Sequence, residues 1–127
     1  MEFERSDYDW SDWQKGLSPE RLTRFEEVVV AIYARVLEVL REHHGDITMT
    51  ATVPIGVFAK GVRGDNPSYL PIVILQAHRF PGYPRLQLIS RELSNTLPVG
   101  RVIYAASEPV PQDLVGAMRR AGRARRL

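Results

Sequence analysis

The chain has 127 residues, no cysteine, a formal net charge of +2 and 44% hydrophobic residues. This excludes disulfide and thiol chemistry and describes one domain, long enough to build a core without a metal or a cross-link. No apolar run approaches the ~18 residues of a membrane span, and the N-terminus is acidic where a secretory leader is basic.

Residues 1–17 read as an acidic, aromatic arm. Glu2, Glu4, Asp7, Asp9 and Asp12 stand against a single Arg5, with Phe3, Tyr8, Trp10 and Trp13 between them. Trp10 and Trp13 are three apart and share a face of any helical turn. Two outcomes are open for Tyr8, Trp10 and Trp13. They dock as aromatic anchors into a groove on another chain, or they fold back onto their own domain.

Ser18-Pro19-Glu20 is a helix start: a serine cap, proline in the first turn and an acid beside it. Leu22, Phe25, Val29, Ile32, Val36, Val39 and His43 then recur at spacings of three and four, with Val28, Leu37 and Leu40 widening the stripe. Arg24, Glu27, Arg35, Glu38, Arg41 and Glu42 occupy the other side, and the helix ends at Gly45, a natural C′ residue. The predicted helix of about 26 residues, roughly 39 Å long, exceeds what strands of ~17–20 Å can cover. Either its ends cover loops, or part of the stripe faces a second subunit.

Ile47–Val53 alternates apolar residues with threonine and reads as a half-buried strand, broken by Pro54 and resumed over Ile55–Lys60. Gly61–Ser68 reads as a loop rich in turn formers. Leu70–His78 contains Ile72-Val73-Ile74-Leu75, a central strand buried on both faces and paired antiparallel with residues 53–60. Residues 84–97 fit a strand or a helix. Leu86, Ile89, Leu93 and Leu97 favour the helix, with Pro84 in its first turn. A short strand over Val102–Ala106 follows, then a terminal helix over Gln112–Arg126 presenting Leu114, Val115, Met118 and Ala121 on one face.

The last residues hold Arg119, Arg120, Arg123, Arg125 and Arg126 and no acid. Of the 17 Lys and Arg only Lys15 and Lys60 are lysine, a bias that codon usage in a GC-rich bacterial genome explains as well as interface chemistry does. The domain reading is an arm over 1–17, one globular unit over 18–118 and a basic tail over 119–127. The fold class is α+β, a helix layer on a small and largely antiparallel sheet, with mixed α/β as the neighbouring possibility.

The residue constellations that could carry chemistry are weak. His43-His44-x-Asp46 and His78 offer metal-ligand types, but adjacent helical histidines diverge by about 100° and do not share an ion readily. The element order resembles the helix–three strands–helix–strand core of PD-(D/E)xK metal-dependent nucleases. Here, however, Gln76 and His78 stand where that family has an acid and a lysine, and Asp65 falls in a loop. In length and element order the chain also resembles small helix–sheet–helix phage proteins of the tail-terminator and neck kind, with no diagnostic motif.

No phosphate-binding glycine loop or nucleophile elbow is present in the sequence. The expectation is therefore a protein without a cofactor or metal that self-associates or binds a protein partner. It would act through the helix face, the acidic aromatic arm and the arginine tail, in the cytoplasm or in a virion. Nucleic-acid binding through the C-terminal arginines, or a degenerate nuclease site, is the alternative.

Overall fold

A computed structural model describes residues 1–63 and 66–105. The expected terminal helix, its Arg119–Arg126 cluster and Asp65 lie outside these residues.

Two 3-10 turns, Arg5–Tyr8 and Ser11–Lys15, lead into α1 over Pro19–His43. Ser18 caps α1 as expected, its Oγ accepting a hydrogen bond from the Arg21 amide at 3.1 Å. The opposite end also falls where the sequence places it. His44 is the C-cap, its amide donating to the Leu40 carbonyl, so Gly45 stands at C′, though without a positive φ. Gly45 serves close approach instead, because a Cβ there would stand 3.0 Å from the Arg41 carbonyl oxygen.

The strands are β1 (Met49–Thr52), β2 (Phe58–Arg63) and β3 (Asn66–Ala77). After them come α2 (Tyr83–Thr96) and β4 (Arg101–Tyr104). The long β3 organises the sheet. It pairs antiparallel with β2 from Phe58↔Pro71 to Arg63↔Asn66, antiparallel with β1 from Met49↔Ala77 to Thr52↔Ile74, and parallel with β4. α2 is the crossover that a parallel β3–β4 pair requires.

Two expectations are revised here. Gly61–Ser68 is not simply a loop, since β2 and β3 remain paired out to Arg63 and Asn66. Cross-strand hydrogen bonding overrides the turn propensity of Gly61 and Pro67. Residues 53–60 also do not pair along all of Leu70–Ala77, because β1 takes the stretch from Ile74 to Ala77. The chain between Thr52 and Phe58 is longer than the β3 segment it spans, and it bulges where Gly56 adopts φ +82°.

The helical reading of 84–97 holds: α2 begins one residue earlier and buries Leu86, Ile89 and Leu93. These side chains join Phe25, Val28, Ile32 and Val36 of α1 against Val73, Leu75 and Val102, so both helices share one core. Ile72, Ile74 and Ile103 alternate to the other face of the sheet and cluster with Val57, Ala59 and Ala105. Of the predicted α1 stripe, the middle is buried and both ends are not. Leu22 is 40% exposed and the His43 side chain 59%.

Candidate functional site

The arm folds back. Trp10 has no exposed surface and belongs to the main core. Its amide donates to the Tyr69 carbonyl at 2.8 Å, next to a parallel bridge between Asp9 and Tyr69. Tyr69 already pairs with Lys60 of β2, so the arm extends the sheet along the other edge of β3. The indole Nε1–H donates to the Asp7 carbonyl at 2.9 Å, which satisfies the polar group that burying tryptophan strands.

Aromatic packing then ties the arm to α1 and β2. Trp10 sits edge-on to Phe25 at 4.9 Å, and Trp13 tilts against Phe25 at 4.9 Å and Phe58 at 5.3 Å. Phe58 stacks on Tyr69 at 4.7 Å. Tyr8 ends the first turn half-buried. Of the two outcomes open for these anchors, Trp10 and Trp13 take the intramolecular one, and no indole face of Trp10 is left for a partner.

Two arginines of α1 receive the arm's acids. Arg24 clasps Asp7 with two hydrogen bonds, Nε to Oδ1 at 3.0 Å and Nη2 to Oδ2. The Glu4 amide adds a third at 2.7 Å. Burial alone would push the Asp7 carboxyl up. The Arg24 hydrogen bonds, the Glu4 amide and the charges of Arg24 and Arg21 outweigh it and hold the carboxyl below its ordinary value. The same contact raises Arg24. Arg21 pairs with Asp12 at 2.9 Å, donates to the Ser6 and Asp9 carbonyls at 2.8 Å each, and lies 3.6 Å over the Trp10 ring.

The histidines do not converge. His43 is exposed, whereas His44 turns inward as the cap residue, its buried Nε2 without a hydrogen bond among the described residues and 3.8 Å from Glu92 Oε1 on α2. This reverses the sequence assignment of His43 to the apolar stripe, because the backbone leaves helical geometry at His44. Asp46 pairs instead with Arg85 at 2.7 Å, and that hydrogen bond lowers its carboxyl. His78 lies at the end of β3, its Nδ1 3.3 Å from the Thr48 carbonyl. Among the described residues no group of three or more potential metal ligands gathers.

One surface was missed in the sequence. On the outward side of α1, Val30 is 67% and Tyr33 43% exposed, with Leu37 half-buried behind them. The signal was present as a second three-four spacing in the same helix, hidden because Leu37 was assigned to the main stripe. Glu26, Ala34 and Arg41 are exposed beside it. The neighbouring charges are spent on each other, Arg35 with Glu38 at 3.3 Å and Arg24 with Glu27 at 3.9 Å. Glu26 and Arg41 take part in no ion pair among the described residues.

A groove of about 750 Å³ runs alongside, between the first residues of the chain, Ala31 and Arg35 of α1, and the end of α2 at Leu97. No described helix is long and apolar enough to cross a membrane. No protein-family model matches this chain, and no curated protein is significantly similar to it.

Proposed function

We propose that this chain works by binding protein, and that its first partner is another copy of itself. The supporting observation is the outward apolar stripe of α1, where Val30 and Tyr33 stand in solvent one helical turn apart. A helix presenting apolar residues at this spacing on its free side is the form in which helices recognise helices. The acidic arm, considered from the sequence as a second attachment, is occupied within its own chain through Asp7, Trp10 and Asp12. An assembly component, in a cytoplasmic complex or a virion, is the role such a surface suits.

Sedimentation equilibrium of the full chain at two salt concentrations, with DNA and RNA binding measured in parallel, tests this. Association that grows with protein concentration and survives salt is the expected result. A monomer at all concentrations that binds nucleic acid with steep salt dependence would overturn it in favour of the basic tail.

A further inference from the structure

We infer that two copies of the chain pair through α1 in antiparallel orientation about a two-fold axis passing between Tyr33 and Ala34. The inference rests on the self-association reading above and gives it a geometry. At 3.6 residues per turn, Glu26, Val30, Tyr33, Ala34, Leu37 and Arg41 fall within a sector of about 100°. Five of the six are exposed and Leu37 is half-buried.

The sector is self-complementary under reversal. Positions equidistant from the midpoint between Tyr33 and Ala34 match in kind: Val30 answers Leu37, and Glu26 answers Arg41. A two-fold axis requires each contact to occur twice with its members exchanged. Val30 then packs on the partner's Leu37, and Tyr33 on the partner's Ala34, whose small side chain leaves room for the ring. Glu26 meets the partner's Arg41 at both ends of the seam. A parallel arrangement would set Glu26 against the partner's Glu26 and Arg41 against the partner's Arg41, which is repulsive.

Glu26 and Arg41 are free to serve, since neither is engaged in an ion pair among the described residues, whereas Arg24, Arg35, Glu27 and Glu38 are. One helix face buries less than the ~1,200 Å² of a stable complex, so a weak dimer forming at high micromolar concentration is expected.

Sedimentation equilibrium of the full chain from about 10 µM to 1 mM, with Glu26→Arg, Arg41→Glu, the double reversal and Val30→Glu, decides the matter. Each single reversal turns two attractive contacts repulsive and should weaken the dimer by roughly tenfold, while the double reversal restores it. Val30→Glu should abolish it with the circular dichroism spectrum unchanged. A wild-type chain that stays monomeric to 1 mM overturns both this geometry and the self-association reading. A dimer indifferent to Glu26→Arg or to Val30→Glu, or one weakened by the single reversals and not restored by the double, overturns the geometry alone.

Discussion

α1 presents apolar side chains to two surfaces beyond the sheet, and their surroundings differ. On the arm side, Phe25 meets Trp10 and Trp13, and the arginines on that flank, Arg21 and Arg24, are matched by Asp12 and Asp7 from the same chain. On the outward side, Val30 and Tyr33 remain in solvent, with Glu26 and Arg41 nearby in no ion pair among the described residues. The contrast teaches that ion pairing along one helix does not close an apolar surface, whereas acids brought in from a distant segment together with its aromatic rings do. On the arm side the paired acids and arginines border a tryptophan with no exposed surface, and that surface is part of the core. On the outward side the apolar residues stay exposed, which is the observation the proposed pairing starts from.

The largest test of this contrast is Trp10→Ala. The side chain is fully buried among Phe25 and its neighbours, and large-to-small changes of this kind cost about 3–5 kcal/mol. That is a large part of a typical domain's 5–15 kcal/mol, so the variant should melt well over 10 °C lower, as differential scanning calorimetry would read. A melting temperature unchanged within 2–3 °C, the shift expected from less than ~1 kcal/mol, would show that the arm is only draped on the domain.

Asp7→Ala comes next, at about 2–3 kcal/mol, because it strips Arg24 and the Glu4 amide of their acceptor. Acid titration isolates the charge. The folded-state carboxyl lies below its ordinary 3.8, so its contribution is complete above that value and is lost as pH falls below it toward the folded value. Urea unfolding between pH 6 and 3 should therefore show a steeper acid loss for the wild type than for Asp7→Asn. Part of the loss persists in the variant, because Asp46 is lowered by Arg85 in the same direction. Equal slopes would mean that the Arg24 contact is not held in solution.

Much of the fold was legible because its signals were local and periodic. The Ser18-Pro19 cap, the middle of the α1 stripe and the spacing of Leu86, Ile89 and Leu93 each lie within a few turns of chain. What escaped was non-local. The arm's acids read as a composition unfit for a core, yet Asp7 is neutralised by Arg24 seventeen residues away, and Trp10 is then free to enter. Nothing near Asp7 in sequence announces that pairing. The pairing of β2 and β3 out to Arg63 and Asn66 escaped for the same reason, since a ladder between two strands outweighed turn residues that a single segment could not weigh. The outward stripe of α1 was visible in principle. Leu37 reads as part of the main stripe, which leaves Val30 and Tyr33 unassigned, because periodicity alone does not say where the sheet stops.

Gly56→Ala should cost less, about 1–2 kcal/mol, and it probes how tightly the arm rests on the bulge. The position holds φ +82°, which an L-residue with a Cβ adopts at a penalty, and the new methyl would stand 3.3 Å from the Trp13 ring. Trp fluorescence should shift along with stability if Trp13 is displaced. A destabilised variant with unchanged emission would assign the whole cost to the backbone.

The smallest effect belongs to the outward face, and it is the sharpest check on the comparison. Val30 is 67% exposed, so Val30→Lys gives up little burial in the monomer. Lysine has the higher helix propensity by a few tenths of a kcal/mol, which offsets what burial is lost. The net change in monomer stability should stay within about 0.5 kcal/mol, the usual range for a surface site away from caps and cores. Urea unfolding at low micromolar concentration, below the range where association sets in, measures this without the dimer's contribution. A loss well above 1 kcal/mol would mean that Val30 is covered within its own chain, and the two sides of α1 would then be alike.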